Sequence, residues 1–152
     1  MKISTLILSA FASTALIAGA AVTPAAADHG ASHAEGAEAG AKTLHSGTWT
    51  KKSFKSSGTW EIYSEGGKHY VKLSSDFRTR NAPDLKIFLS PLEASKTNGK
   101  NATDGSLLVA PLSSNSGEQV YEIPASADLA SFKSVLIHCE QYSKLWSAAD
   151  LV

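Results

Sequence analysis

Chemistry in this chain has few places to reside, and the first is its single thiol, Cys139, set in the run Val135-Leu136-Ile137-His138-Cys139-Glu140. A thiolate can act as a nucleophile, a redox group or a metal ligand. Adjacent His138 and Glu140 would make a ligand cluster only if all three side chains met. In a strand, side chains alternate, so Val135, Ile137 and Cys139 share one face while Leu136, His138 and Glu140 share the other. The two apolar residues beside Cys139 mark its face as the core side. His138 and Cys139 therefore point apart and do not hold one ion unless a bulge breaks the pleat. One cysteine cannot close an internal disulfide. Three readings stay open: an inert buried thiol, half of an intermolecular disulfide, or a reactive or ligating thiolate.

Other chemistries are narrowed by what is missing. C-x-x-C-H haem attachment needs two cysteines, and structural zinc usually takes four Cys or His ligands. An axial thiolate from Cys139 to a non-covalent haem stays open. A second ligand set is His29 and His33, flanked by Asp28 and Glu35. Imidazole and carboxylate suit Cu(II), Ni(II) or Zn(II), held weakly because a floppy segment must first be ordered. His45 is a further contributor to such a set. Asp76, Asp84 and Asp104 lack the dense spacing of a calcium loop and read as turn residues. No nucleophile elbow, H-E-x-x-H helix, phosphate loop or dinucleotide fingerprint is present, so hydrolytic catalysis has no support. The aromatic residues, among them Trp49, Trp60 and Trp146, read first as core and cross-strand pairs and second as a ligand platform.

The elements that must position these groups follow from the chain's order. Lys2, an apolar and small stretch from Leu6 to about Val22, and Ala25-Ala26-Ala27 form the three parts of a signal peptide, with cleavage before Asp28. The apolar stretch is diluted by Ser9, Ser13 and Thr14, which argues against a stable membrane span. The expected organisation is a signal peptide over 1–27, a flexible Ala/Gly/His/Glu leader over 28–43 and one folded domain over 44–152. Removal of the signal leaves about 125 residues, enough for one core. Its formal charge of −1, with no basic block, gives no basis for a nucleic-acid or anionic-membrane partner. The expected location is secreted or periplasmic.

From Leu44 the pattern is that of short strands. Ser46-Gly47-Thr48-Trp49 recurs as Ser57-Gly58-Thr59-Trp60, which predicts two strands joined through 51–56. Gly66-Gly67 between Thr59–Ser64 and His69–Ser75 predicts a tight hairpin. Further strands are expected at Asp84–Ser90, Leu107–Ala110, Gln119–Ile123 and Ser134–Glu140. A loop is expected over Ser95–Gly105 and one helical turn near Asp128–Phe132. Tyr142–Ala149 reads equally as a short helix or a last strand. Seven to eight short strands imply an all-β fold, a small antiparallel β-sandwich.

In order and spacing the chain resembles the DM-thirteen domain, a small extracytoplasmic module often found beside DOMON domains. The stretches that carry the resemblance are Gly47-Thr48-Trp49, Leu73-Ser74-Ser75-Asp76-Phe77, Ala82-Pro83-Asp84-Leu85-Lys86-Ile87-Phe88-Leu89-Ser90 and Gly117-Glu118-Gln119-Val120-Tyr121-Glu122-Ile123-Pro124. Val135–Glu140 and Trp146-Ser147-Ala148-Ala149-Asp150-Leu151 complete it. That family has one near-invariant cysteine in its late strand, and Cys139 falls on it. The resemblance implies a β-sandwich and an electron-transfer role, with Cys139 acting bare or holding a prosthetic group such as haem, and a redox partner protein in the cell envelope. Where the family often has a bulky residue before its cysteine, this chain has His138. The competing expectation is a non-catalytic binding module for an envelope partner or carbohydrate.

Overall fold

In a computed structural model the described residues are 40–152. The expected signal peptide, His29, His33 and all but the end of the leader lie outside them. Nine strands run through the described residues: β1 (Lys42–Thr48), β2 (Thr50–Lys51), β3 (Thr59–Glu65), β4 (Lys68–Leu73), β5 (Leu85–Ser90), β6 (Leu107–Pro111), β7 (Gln119–Glu122), β8 (Ser134–Cys139) and β9 (Lys144–Asp150). They form two antiparallel sheets, ordered β1-β3-β4-β7 and β2-β9-β8-β5-β6. The expected all-β sandwich is present. The strand count exceeds seven to eight because the chain changes sheets at Trp49. β1 pairs with β3 in the first sheet, whereas Thr50 and Lys51 pair with Ala148 and Ser147 in the second. The repeated Ser-Gly-Thr-Trp segments lie side by side, Gly47 opposite Trp60 and Thr48 opposite Thr59.

Between the sheets lies a core to which the first sheet gives Trp60, Ile62, Val71, Leu73 and Tyr121. The second gives Leu85, Ile87, Leu89, Val135, Ile137, Cys139, Trp146 and Ala149. Period-two alternation accounts for these choices on β3 and β4, whose outer faces stay partly exposed. It fails on β8, where every residue is buried. The reason is a second, smaller core on the outer side of the five-stranded sheet. There the segment after β5, with a 3-10 turn at Ala94–Lys96, lays Ala94 and Ala102 over Phe88, Leu136, Leu145 and Ala148. It is tied down at Asp150, whose carboxylate accepts from the Ala94 amide at 2.6 Å. The expected loop over Ser95–Gly105 therefore covers a sheet face. The Tyr142–Ala149 ambiguity resolves to a strand, and its continuous apolar run follows from the same two-sided burial.

The β3–β4 hairpin and Gly58 need glycine's conformational freedom. Gly66 and Gly67, at φ of 56° and 78°, close the two-residue β3–β4 hairpin. Gly58 has φ of 83°, and a Cβ there would stand 2.7 Å from the Phe77 Cα. We expect Gly58→Ala to cost about 2 kcal/mol or more in a urea titration, since left-handed strain adds to a backbone clash. Gly117→Ala, at φ of 87° with nothing within 4 Å, should cost only the conformational term, about 1 kcal/mol. Equal losses at the two positions would contradict the packing at Gly58.

Candidate functional site

Cys139 is the last residue of β8, the middle strand of its sheet. Its side chain is fully buried in the inter-sheet core with Val135 and Ile137, the face that alternation predicted. Its cross-strand partners are Leu85 on β5 and Lys144 on β9. After it the chain turns through Glu140–Ser143 into β9, and Ser143 takes a positive φ of 47° to do so.

One residue beyond the Lys144–Leu145 pairings, β9 bulges. Register shifts between Ile137 and His138, leaving Trp146 as the unpaired residue. A bulge re-aims a side chain, and here the indole enters the same core cluster as Cys139. Trp146 stands diagonally across from Cys139, within reach for a ring of that size. Its Nε1–H donates to the Arg80 carbonyl at 2.9 Å, and Phe54 packs on it with ring centroids 4.2 Å apart. Phe54 in turn carries two cations, the Arg80 guanidinium at 4.9 Å from the ring centre and the Lys144 ammonium at 6.0 Å. These groups line a surface cleft of about 310 Å³ with Asn81, Ala82, Pro83 and Tyr142. A second cleft of about 170 Å³ is lined by Leu85 and the Asn81–Asp84 segment.

Both clefts stop one side chain short of the thiol. Leu85 lines one and Lys144 the other, and these are the two strand neighbours of Cys139, which lines neither. An axial thiolate must aim its sulfur into a cavity that admits the macrocycle. The residues around Cys139 do not fit a haem in this closed sandwich.

A clamp keeps that end closed. A Cβ placed on Gly99 would stand 2.2 Å from the Ser143 carbonyl oxygen, so the covering segment touches the β8–β9 turn backbone to backbone. On the flank, the Lys86 ammonium binds the Glu140 carboxylate and lies 3.3 Å from Asp84. Glu140, with Asp84 adding to it against partial desolvation, holds Lys86 above its ordinary value.

His138 points away from Cys139 into the smaller core, as the pleat requires. The bulge that would bring the two together lies on β9, not β8. The imidazole meets Phe88 edge-on at 6.1 Å, and its Nδ1 is buried without a hydrogen-bond partner. Burial pushes its pKa below the usual 6.5, opposed more weakly by Glu140 and Asp84. Among the described residues no three His, Cys, Asp or Glu side chains gather as a metal site. His45 instead faces the Val152 carbonyl oxygen at 3.2 Å. Trp60 and Trp146 are buried, and half-buried Trp49 packs on Trp60 and Phe77, so the tryptophans belong to the core.

Sequence reasoning located Cys139 and the face it occupies. It missed the cleft, because Phe54, Arg80 and Lys144 come from three separated segments. One sign was available: Leu145-Trp146 breaks the alternation of β9, as a bulge does.

A family model described as "Electron transfer DM13" matches residues 48–151, about two thirds of the chain. Neither a curated protein nor a solved structure matches it.

The buried imidazole fixes a pH dependence. With its folded pKa depressed, His138 contributes no penalty above the unfolded value of about 6.5. As pH falls through that value the unfolded chain takes up a proton that the native state refuses, so stability drops. His138→Leu should flatten this loss between pH 7 and 5 in urea titrations. A parallel pH profile in the two proteins would show that His138 is protonated equally well when folded.

Proposed function

Because this chain belongs to the electron-transfer DM13 family, we propose that it works as an exported electron-transfer accessory module whose redox group is the bare Cys139 thiol. The observation that carries this reading is position. Cys139 ends the central strand, one side chain behind an aromatic and cationic cleft and directly before a turn. Export is supported by the signal-type pattern over residues 1–27.

The chemistry suited to a bare thiol is exchange with a partner's disulfide. Cys139 gives up its proton, and the thiolate attacks one sulfur of that disulfide. A new S–S bond forms as the partner's bond breaks, and the departing thiolate takes up a proton. The Cys139 sulfur is oxidised by one formal unit, from thiolate to disulfide level, and the departing partner sulfur is reduced by one. In the closed sandwich the sulfur is shielded, so the exchange waits on opening of the Glu140–Ser143 turn. Such local opening requires far less than global unfolding when few contacts hold the segment. The Gly99 contact and the Lys86 ion pairs set how often it happens.

Two outcomes follow. Intact mass and an optical spectrum of the purified mature chain, beside Cys139→Ala, should give a colourless protein that accepts one disulfide-borrowed adduct, absent from the variant. A Soret band lost with Cys139→Ala would replace the bare thiol by a haem ligand. A thiol that reacts no faster than the protein unfolds would make Cys139 a structural residue. Gly99→Ala should raise the native-state alkylation rate of Cys139, about tenfold for each ~1.4 kcal/mol taken from the closed turn. An unchanged rate would place the opening elsewhere.

A further inference from the structure

The cleft beside the thiol is open to solvent yet unsuited to a flat cofactor. One side of Phe54 is taken by Trp146 and the Arg80 guanidinium lies over the ring, while Trp146 is itself only 3% exposed. That leaves a planar ligand only the exposed Tyr142 ring, with no second ring to close on its other face. What faces outward is the Arg80 fork, the Lys144 ammonium, Pro83 and the Tyr142 ring, 56% exposed. Tyr and Arg are the side chains that protein interfaces favour.

The charges are unspent. Neither Arg80 nor Lys144 has a carboxylate partner among the described residues. The acidic residues nearest in sequence to the cleft, Asp84 and Glu140, are both engaged by Lys86. Phe54 holds the two cations over one ring, which lowers the freedom each must lose on meeting an anion. Paired cations beside an exposed tyrosine, on a chain whose formal charge is −1 once residues 1–27 are removed, form a local positive feature that an acidic surface would find. Such complementarity mainly raises encounter rate, as transient redox contacts require.

We propose that the cleft lined by Phe54, Arg80, Tyr142, Lys144 and Trp146 is the docking surface for the acidic face of a redox partner protein, seated beside the turn that covers Cys139. This rests on the reading of Cys139 as the redox thiol for its purpose, but the docking is measured without it.

The probes are two synthetic peptides, each with one internal disulfide, one flanked by four glutamates and the other by four lysines. Amide shifts of the labelled mature chain are recorded with each, in wild type and in Cys139→Ala. The glutamate peptide should move the amides of residues 54, 80, 142 and 144 in both proteins, and the lysine peptide should not. Mixed-disulfide formation on wild type should be roughly tenfold or more faster with the glutamate peptide at low salt, the difference shrinking as salt is added. Arg80→Glu with Lys144→Glu should reverse the preference, while Lys100→Glu with Lys133→Glu, an equal charge change, should leave it. The Trp146 bond to residue 80 uses a backbone carbonyl, so it survives the first pair.

Shifts at the cleft with no mixed disulfide from either peptide would support the docking surface and remove the thiol reading. Shifts elsewhere, or equal effects of the two variant pairs, would overturn the docking surface, whatever the thiol does.

Discussion

The structure depends on burying both faces of one strand. β8 sits in the middle of the five-stranded sheet, with the four-stranded sheet on one side and the Ala94–Ala102 cover on the other. Every one of its six side chains is removed from water. Two-sided burial turns an antiparallel strand into a continuous apolar run of the kind usually seen in covered parallel sheets. It also makes any polar side chain on that strand expensive. His138 shows the cost in its unpartnered Nδ1 and its lowered pKa. Cys139 fits without penalty because a thiol is a weak hydrogen-bonding group that packs as a small hydrophobe.

That constraint links packing to reactivity. The strand ends at Cys139 and the next residues leave the core, so the thiol lies where the most protected element meets an exposed turn. The cover packs directly on that turn. Gly99 can approach the Ser143 carbonyl because it has no side chain, and Lys86 ties Glu140 to Asp84 across the strand end. The sheet therefore buries the sulfur, while a few local contacts hold the turn that leads away from it.

The sequence exposed the fold well where one face was wet. β3, β4 and their Gly66-Gly67 turn follow from alternation and positive φ alone. β9 was ambiguous because two-sided burial erases the period that separates strand from helix. The two-residue β2 was hidden since it exists only by pairing with β9, nearly a hundred residues away in the chain. Ser95–Gly105 looked like an ordinary polar loop, and only the small residues Ala94 and Ala102 could have suggested a lid over a second core. At the site, the thiol and its facing were legible from Val135, Ile137 and Cys139. The cleft was not, because cation–ring contacts between Phe54, Arg80 and Lys144 are long-range and leave no spacing in the sequence.

The position of β8 also sets a timetable. Residues 134–139 supply the middle of a sheet whose other strands begin at Thr50, so neither β2, β9 nor β5 has its proper neighbours until β8 and β9 have followed. Pairings between distant segments form slowly, since loop closure precedes any gain from contact. During synthesis the first sheet has three of its strands early, but the core that closes on it arrives last. A polypeptide built in this order has no complete five-stranded sheet to close on until β8 and β9 have both been made.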